Sequence, residues 1–530
     1  MAVKINFNQA SAQTHTSLVR NERAMMKSLL RLSTGTRILN AADDSAGLFI
    51  ADMLSTVAKA YEQGNRNIQT GISALQIAEA ASGQIFDKLQ EIYVRAQNAA
   101  NDINDPNARS ALQKEIRNFV DAIQKIGTDT EYNGIKLLDG TFKDKFIHYG
   151  SRADQLVSVA ISPLKATDLG AFLVNGTGRT YTSSNSAYAA SVTGNWRFGD
   201  ASDRILVNGI SLAANVPNGA VDAYSIAKAI NENADLQAAG ISARAKNSVT
   251  GGPWTGAQVS VTNSATATVT LRITEGSNTN MNASNVITLS ANATSTTNLF
   301  SDLDTLVNDI NTQAANSGML IRAKNDNGRL ILDANGKTIG VQVEINVTAT
   351  GDGNSATASF NLSQIFGSGA ATVSANATNN TASATGSGIK VGDLTIAGID
   401  RYSYDFTGIS TATEGLGLAA SGDAIARDLY SIDVRTNEKA EIAIDIVSKA
   451  LQKADTIRSQ IGATMNNLQS IFDSQKIAYD NTKEAESVIR NTDYAKEMSE
   501  FTTFQIRMQA TIAMLAQGNT LPQLVLQLLR

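Results

Sequence analysis

A heptad repeat of small and apolar residues near the start of the chain most limits how this sequence can fold. Its members are spaced alternately three and four residues apart: Ile68, Gly71, Leu75, Ala78, Ser82, Ile85, Leu89, Ile92, Ala96, Ala99 and Ile103. A 3.5-residue period is typical of a helix that packs along another helix. We therefore predict a helix over about residues 65–104. Asp105 and Pro106 should end it, because proline disfavours the helical conformation in the residue before it.

A second seam with the same period lies near the end of the chain. Its residues are Ala450, Ala454, Ile457, Ile461, Thr464, Leu468, Ile471, Gln475, Ala478, Thr482, Ala485 and Ile489. No proline interrupts residues 438–490, which predicts a second long helix, and a shorter helix is predicted over about residues 108–127. Two seams of equal period are natural partners, so we expect the two ends of the chain to pack together. The alternative is two unrelated coiled coils or a homodimeric rod.

The region between the helical ends is rich in serine, threonine, asparagine, glycine and alanine, and parts of it alternate in polarity. Residues 259–273 show this alternation, which is typical of β-strands. The tetrapeptide that begins at Arg244 recurs at Arg322, each time after a helical pattern. We predict mainly α-helical, coiled-coil or helical-bundle ends with a β-rich α+β central insertion, in an elongated multidomain chain. Two related α+β modules are expected at about residues 200–250 and 285–345.

Composition excludes several classes of function. The chain has no cysteine and two histidines, which excludes disulfides and thiolate chemistry and leaves little for an imidazole metal cluster or a Ser-His-Asp triad. The net charge of −5 argues against a general nucleic-acid binder. No apolar run approaches the roughly 18 residues of a membrane span, and the N-terminus lacks the apolar segment of a secretory signal peptide. We predict no enzyme activity, no cofactor and no metal.

The extreme ends of the chain are apolar in a way that is unfavourable for a soluble monomer. Apolar residues recur through residues 5–32 and 494–529. Ordering about 30 residues costs roughly 30–60 kcal/mol, and a helix face without a covering partner returns little of it. We predict that these ends are disordered in the free subunit and fold when neighbours cover them. The alternative is a terminal hairpin docked on its own domain.

The residues at both ends resemble those of bacterial flagellin. The similarity covers about residues 1–150 and 436–530. At the N-terminal end the matching stretches are Leu32-Ser33-Thr34-Gly35-Thr36-Arg37-Ile38, Ala41-Ala42-Asp43-Asp44-Ser45-Ala46-Gly47-Leu48, Arg66-Asn67 and Lys136-Leu137-Leu138-Asp139-Gly140. At the C-terminal end they are Arg458, Ile461-Gly462-Ala463, Asn467-Leu468, Asp493-Tyr494-Ala495, Glu497 and Leu528-Leu529-Arg530.

This resemblance implies a layered subunit of the flagellar filament, the extracellular structure that drives swimming. Residues 1–42 with 491–530 would form inner filament-core helices, and residues 43–170 with 425–490 a rod domain of long helices. Residues 171–424 would form outer, surface-exposed domains. The alternatives are a hook–filament junction protein of the same family, and an adhesin or enzyme on a coiled-coil stalk.

The resemblance also implies partners and a route out of the cell. The chain would polymerise with copies of itself into a helical filament. It would be exported through the flagellar secretion channel without a cleaved signal peptide, bound at its C-terminal segment by the flagellin export chaperone. The filament cap protein and the hook-junction proteins are the other implied partners; nucleic acid and a membrane span are not expected.

Particular residues are candidates for assembly. We expect core contacts from a set of apolar residues at the two ends: Met26, Leu29, Phe501, Phe504, Leu515, Leu526 and Leu529. Arg31 and Arg37 are candidates for intersubunit charge pairs with Asp493 or Glu497, although these charges could simply solvate helix faces. Either Asp43 or Asp44 is expected to be a helix N-cap.

Flagellins sensed by the innate immune receptor carry a basic motif on the rod helix, and here that motif is altered. Glu91 reverses the expected charge, and Tyr93 replaces a second basic residue. The resemblance therefore implies weak activation of the receptor.

Overall fold

The computed structural model describes residues 8–199, 202–409 and 415–528, without the side chains of residues 193–195 and 521–528. The helices are α1 (Gln9–Thr34), α2 (Ser45–Ala99), α3 (Pro106–Asp129), α4 (Tyr188–Asn195), α5 (Ala223–Glu232), α6 (Ala234–Ala238), α7 (Leu303–Asn316), α8 (Ser363–Phe366), α9 (Asn437–Arg490) and α10 (Tyr494–Leu528). Helices therefore occupy the two ends and strands dominate the middle, which confirms the predicted fold class.

The strands are short and follow one another closely through the middle of the chain. They are β1 (Glu131–Tyr132), β2 (Ile135–Lys136), β3 (Lys145–His148), β4 (Leu156–Val159), β5 (Gly170–Gly176), β6 (Thr180–Ser183), β7 (Arg197–Phe198), β8 (Leu206–Val207), β9 (Ile210–Ser211), β10 (Gly219–Ala220), β11 (Ser242–Lys246), β12 (Ser248–Pro253), β13 (Ala257–Thr262), β14 (Thr266–Glu275), β15 (Ile287–Ala293), β16 (Thr297–Leu299), β17 (Arg322–Asp326), β18 (Arg329–Asp333), β19 (Ile339–Thr348), β20 (Ser355–Asn361), β21 (Thr372–Thr378), β22 (Thr381–Lys390), β23 (Asp393–Gly398), β24 (Ser403–Asp405), β25 (Ser421–Asp423) and β26 (Ile425–Asp428).

The chain divides into two compact units, and both long helices contribute to each of them. The first unit comprises Met1–Ala80, Thr130–Ser162 and Arg458–Arg530. The second comprises Ala81–Asp129 and Pro163–Ile457, and it contains the strand-rich region.

The N-terminal seam is buried along almost its whole length. Nine of its residues are buried: Ile68, Leu75, Ala78, Ser82, Ile85, Leu89, Ile92, Ala96 and Ala99. Both predicted ends of the helix are wrong. Helix α2 begins at Ser45, about 20 residues before the predicted start, and it stops at Ala99, with Ile103 88% exposed. Arg109 explains the early end, since its Nε donates to the carbonyl of Ala99 at 2.9 Å. Pro106 begins α3 instead, a position where its missing N–H costs nothing.

Helix α9 runs antiparallel to α2, which confirms that the terminal helices pack together. In the first unit, Arg490 Nη1 lies 3.4 Å from Asp52 Oδ1. A Cβ placed on Gly71 would lie only 2.3 Å from Ile147 Cδ1, so this seam position makes room for a side chain of β3, whereas Leu468 of α9 would be at an ordinary contact distance of 3.7 Å. In the second unit, Asn437 on α9 bonds to Asp102, just after α2.

Two antiparallel sheets dominate the larger core of the second unit. One has the strand order β15-β14-β19-β22-β6, and the other has the order β16-β13-β20-β21. The alternating stretch predicted from residue 259 onwards forms parts of β13 and β14, one strand in each sheet. Leu271, Val343, Ile345 and Phe360 are among the side chains buried in this core.

A second core lies beneath the four-stranded sheet of order β11-β23-β5-β26. Its buried side chains include Tyr188, Trp196, Phe198, Ile396 and Phe406. These two clusters are built from apolar side chains, and neither includes a residue of α1, α2, α3, α9 or α10.

Matching side-chain contacts recur in the two segments that share a sequence repeat. On α5, Asn231 accepts the N–H of Ala243 at 2.8 Å and donates to its carbonyl at 2.7 Å. On α7, Asn311 makes the same two bonds to Ala323, at 2.8 and 2.9 Å. In each case the asparagine side chain makes the two backbone hydrogen bonds that a neighbouring strand would otherwise make to β11 or β17. These bonds align Ala243 with Ala323, so the sequence alignment, which placed Arg244 on Arg322, is shifted by two residues.

Candidate assembly surface

The two terminal helices pack against each other in antiparallel directions. Near the start of α1, Asn8 Nδ2 donates to the carbonyl of Gly518 at 2.9 Å. Near its end, Ser28 Oγ donates to the carbonyl of Glu497 at 3.3 Å. The first and last helices of the chain therefore form one helical pair within a single subunit.

This helical pair has no apolar core of its own within the described side chains. The residues of α1 and α10 that are fully buried there are Ser28, at 2% exposure, and Glu497, at 7%. Both are polar, so their burial contributes little hydrophobic free energy. Ordering a helix costs about 1–2 kcal/mol per residue in backbone entropy alone. The pair gains little within the single chain to offset that cost.

The half-buried side chains of α10 form one stripe along the helix. The stripe consists of Phe501, Phe504, Met508 and Leu515, which follow a spacing of three and four residues along the helix. Glu497, whose carbonyl accepts a hydrogen bond from Ser28 of α1, lies on the same stripe. The stripe therefore faces α1 of the same chain. Three of the predicted assembly residues, Phe501, Phe504 and Leu515, lie on this face and are only partly covered.

Met26 and Leu29 lie on the exposed side of α1, with exposures of 55% and 47%. Other large apolar side chains are also exposed on the two helices: Leu30, Tyr494, Met498, Ile506, Ile512 and Met514. Apolar residues therefore surround α10 on all sides, a pattern typical of helices that are buried in a larger structure. The side chain of Leu526 and the whole of Leu529 lie outside the described residues.

The charged candidates make contacts within the chain. Arg31 Nη1 lies 3.6 Å from Glu497 Oε2. Arg37 Nη2 donates to the carbonyl of Ile489 at 2.7 Å. Asp493 Oδ1 accepts N–H groups at the start of α10 at 3.0 and 3.2 Å, so this carboxylate caps the helix. The structure thus brings Arg31 to Glu497 but ties Arg37 and Asp493 to backbone groups.

The connection after α1 contains contacts that sequence reasoning did not anticipate. Gly35 has a φ of +71°, and a Cβ at this position would lie 2.9 Å from the Tyr494 hydroxyl. The next residue, Thr36, forms a β-bridge with Asn491. A glycine is therefore required where the chain leaves α1 beside the start of α10. The glycine itself was the only local signal of this turn.

The two aspartates that follow have different partners. Asp44 Oδ1 accepts the N–H of Gly47 at 2.8 Å, so Asp44 is the predicted N-cap of α2. Asp43 instead pairs with Lys27 on α1, with Nζ 2.7 Å from Oδ1. The hydrogen bond from Lys27 lowers the pKa of Asp43. Asp43 therefore ties the segment before α2 back to α1, a role that the sequence did not reveal.

The altered receptor-motif positions lie on α2 within the second unit. Glu91 Oε2 lies 2.6 Å from Arg95 Nη1, and Glu115 Oε2 lies 3.0 Å from Arg95 Nε. The Arg95 guanidinium also lies 5.7 Å from the centre of the Phe119 ring. Tyr93 is half-buried. The nearby basic residue Arg95 is thus engaged by two carboxylates of its own chain.

The part of the chain that the structure describes contains neither a candidate cluster of metal ligands nor a helix suited to cross a membrane. Within residues 8–199, 202–409 and 415–528, no group of three or more histidine, aspartate or glutamate side chains could hold a metal ion. None of the described helices combines the length and apolarity needed to cross a membrane.

Two family models match the helical ends. The model described as the bacterial flagellin N-terminal helical region matches residues 5–143, and that of the C-terminal helical region matches residues 444–529. A solved structure of FliC from Burkholderia pseudomallei is 14% identical and covers 75% of this chain and 99% of that chain. Its TM-score of 0.28 is too low to support a comparison of the two folds.

Curated relatives match the chain from end to end. Flagellin of Aquifex pyrophilus is 50% identical over 536 residues, covering all of both chains. Flagellin of Aquifex aeolicus is 45% identical, again over the whole of both chains. Full-length identity at this level, with the family models at both helical ends, shows that the chain belongs to the flagellin family.

Proposed function

We propose that this chain is a structural subunit that polymerises into the bacterial flagellar filament outside the cell. The observation that carries the proposal is the terminal helical pair, which exposes apolar side chains and buries none completely within its described residues. Copies of the same chain are the natural cover for these side chains, because the apolar groups on one subunit can pack against those on the next. A contact of this kind that does not close on itself gives a helical filament.

Assembly and folding of the ends are coupled in this proposal. The terminal helices have little to stabilise them alone, so their free energy of folding is gained when neighbours cover them. The second unit differs, because it has extensive apolar cores of its own. We therefore assign residues 1–42 and 491–530 to the filament core. Residues 43–170 with 425–490 form a surrounding rod domain, and residues 171–424 form the outer domains.

The candidate residues take separate roles within this scheme. Met26 and Leu29 are exposed in the single chain and contact neighbouring subunits directly. Phe501, Phe504 and Leu515 line the stripe toward α1 and hold the helical pair together, while their uncovered parts meet neighbours. Arg31 and Glu497 already pair within the chain, so they orient the two helices for assembly.

We propose the remaining partners by analogy with other members of the flagellin family. The chain leaves the cell through the flagellar secretion channel. An export chaperone binds the apolar C-terminal segment before secretion. The cap protein receives the subunit at the growing tip, and hook-junction proteins hold the base of the filament. The chain has no catalytic role in this scheme.

Seeded growth of purified subunit tests the proposal. We expect the unmodified protein to extend filament seeds, and a variant with Met26→Glu and Leu29→Glu to leave them unextended. Charged side chains at both positions cannot be buried against an apolar neighbour without a large desolvation cost. Electron microscopy measures filament length, and circular dichroism measures the gain of helix on polymerisation.

A matched variant separates assembly from a general effect of charge. Leu320→Glu with Ile425→Glu makes the same change at positions that are 40% and 62% exposed in the second unit. Leu320→Glu alone, in the residues assigned to the outer domains, should extend seeds normally, and the double variant tests whether a charge at the edge of the rod domain is also tolerated. Hydrogen exchange in the second unit should be the same in both variants, which shows that each subunit is folded. Normal filament growth by the Met26 and Leu29 variant would overturn the proposed assembly surface.

A further inference from the structure

The four-stranded sheet of order β11-β23-β5-β26 is covered on both of its faces. Val174 and Ile396 belong to the second core, which lies on one side of the sheet. Because side chains alternate along a strand, Leu173 and Ala397 lie on the opposite face, and both are buried. These two residues pair with each other, and Ser242 of β11 pairs with Ala397 on its other side. The face away from the core is therefore shielded from solvent as well.

Helix α9 lies against this second face where the face reaches β11. Arg244 follows Ser242 by two residues, so its side chain is on the same face of the sheet. Arg244 Nη1 donates to Glu441 Oε2 at 2.8 Å, and Nη2 donates to Asp445 Oδ2 at 3.0 Å. Lys246 Nζ lies 2.8 Å from the other oxygen of Glu441. The two carboxylates are four residues apart on one side of α9, so a single guanidinium connects two successive turns of the helix.

The geometry of this contact gives it orientation as well as free energy. The side chains of Arg244, Glu441 and Asp445 are 38%, 25% and 22% exposed, so water only partly screens them. A guanidinium is planar and presents its N–H groups in a rigid fork, so it can meet two carboxylates only in a narrow range of directions. Arg244 therefore fixes the direction in which β11 crosses α9.

The sequence repeat indicates that this contact is not needed to fold the segment that contains it. Ala243 and Ala323 occupy equivalent places in the two repeated segments, as their matching asparagine contacts show. The next residue is a cation in both, Arg244 in the first segment and Lys324 in the second. Lys324 is exposed and takes part in none of the ion pairs seen among the described residues. The same arrangement of helix and strand thus forms where this position faces solvent.

We propose that Arg244 fixes the strand-rich region to α9 at a joint that can open while both sides stay folded. The joint consists of Arg244 and Lys246 on β11 with Glu441 and Asp445 on α9. While it is closed, the sheet and the helix move as one body, and the strand-rich region keeps a fixed direction relative to α9. When its ion pairs are lost, the sheet remains folded on its own core but separates more often from the helix.

Thiol labelling of the full-length soluble subunit measures opening of the joint, because the chain has no cysteine of its own. Ala397→Cys places a single thiol on the face of β23 that lies toward the joint, at a position that is 4% exposed. A half-exposed ion pair slows opening by roughly 2- to 5-fold, and Arg244→Gln removes two of them. Labelling of Ala397→Cys should therefore become roughly 10-fold faster when Arg244→Gln is added.

A second thiol position separates opening of the joint from unfolding of the sheet. Ala229→Cys lies in the core on the other side of the sheet, at 2% exposure, and Arg244→Gln should leave its labelling rate unchanged. Equal acceleration at both positions would mean that Arg244 stabilises the fold itself, which overturns the proposal. An unchanged rate at Ala397→Cys would overturn it as well.

Matched variants test the partners of Arg244 and its position. Lys324→Gln removes the equivalent charge from the second repeated segment and should leave both labelling rates unchanged; acceleration equal to that of Arg244→Gln would assign the effect to net charge and refute the joint. Glu441→Gln with Asp445→Asn should accelerate labelling of Ala397→Cys as Arg244→Gln does. Combining all three changes should add little, because groups that act through one contact are not additive. Full additivity would contradict the assigned pairing. These measurements use the unpolymerised subunit, so their result is separate from that of the proposed function.

Discussion

Replacing Asn311 with aspartate should destabilise the second of the two repeated segments far more than the same change at Asn231 destabilises the first. Asn311 bonds both the N–H and the carbonyl of Ala323, which is 7% exposed. On its other side Ala323 pairs with Leu332 of β18. Asn311→Asp keeps the acceptor for the N–H but places a carboxylate oxygen against the carbonyl. The buried carbonyl then has neither a donor nor water on that side.

The expected loss of stability in each variant depends on how far the unpaired carbonyl is buried. Leaving a buried carbonyl unpaired costs about 1–3 kcal/mol, so we expect about 2 kcal/mol at Asn311. The bonds made by Asn231 to Ala243 are exposed to solvent, and water can replace the lost donor. Asn231→Asp should therefore cost about 0.5 kcal/mol. The two variants differ in burial but not in chemistry, which makes them a matched pair.

Hydrogen exchange on the monomer, read by mass spectrometry, measures both changes. A cost of about 2 kcal/mol corresponds to roughly 30-fold faster exchange in β17, with a change of about 2-fold in β11 for the other variant. Lowering the pH below the ordinary carboxyl pKa of about 4 returns a proton that can donate to Ala323, so the Asn311→Asp defect should shrink. Equal defects in the two variants, or a defect that does not change with pH, would refute the reasoning.

Three further predictions concern separate parts of the chain. Ile85→Ala, at a fully buried seam position, should lower the free energy of unfolding by about 2–5 kcal/mol in denaturant titration. The hydrogen bond from Arg435 lowers the pKa of Asp433, so this carboxylate contributes stability above the ordinary pKa of about 3.9 and loses it as the pH falls. Asp433→Asn should therefore cost about 1 kcal/mol at pH 7 and progressively less as the pH falls below about 4, measured by thermal unfolding. Purified subunit should activate the innate immune receptor weakly in a cell reporter assay, and Glu91→Gln with Tyr93→Arg should raise the response; potent signalling by the unmodified subunit would contradict this.

The long helices could be predicted because their period is carried by the residues themselves. The seam from Ile68 to Ala99 is buried almost as predicted, and α9 begins within one residue of its predicted start. The end of α2 could not be predicted from Pro106. It depends on Arg109, which reaches back to the carbonyl of Ala99 from the next helix. A boundary set by a side chain of another element has no local signature.

The pairing of strands in the central region could likewise not be predicted from the local sequence. Alternation in the sequence predicted the strand character of β13 and β14, but it did not indicate that they belong to different sheets. Strand β6 pairs with β22 through Ser183 and Ser387, which are far apart in the sequence. Strand partners of this kind are selected by packing across the whole core, and a local pattern cannot specify them.

The candidate site shows a different kind of limit. Periodicity placed Phe501, Phe504 and Leu515 on one stripe of α10, but the same pattern fits contact with another subunit and contact with α1 of the same chain. The structure assigns this stripe to the side that faces α1, and leaves Met26 and Leu29 exposed. Sequence therefore identified which residues are apolar and aligned, whereas the partner of each face depends on how the chain folds back on itself.

Substitutions of apolar residues should have different effects in the second unit and in the terminal helices, because burial differs between these regions. In the second unit, side chains such as Val343 and Phe360 have their partners within the same chain, so their loss lowers the stability of the monomer. On the terminal helices, Met26 and Leu29 have little cover within the chain, so we expect their loss to leave the monomer almost unchanged and to remove free energy mainly from the polymer. Side chains that are already fully buried in the monomer have no surface left for a neighbour, so we expect polymerisation to draw on the partly covered and exposed side chains of the terminal helices.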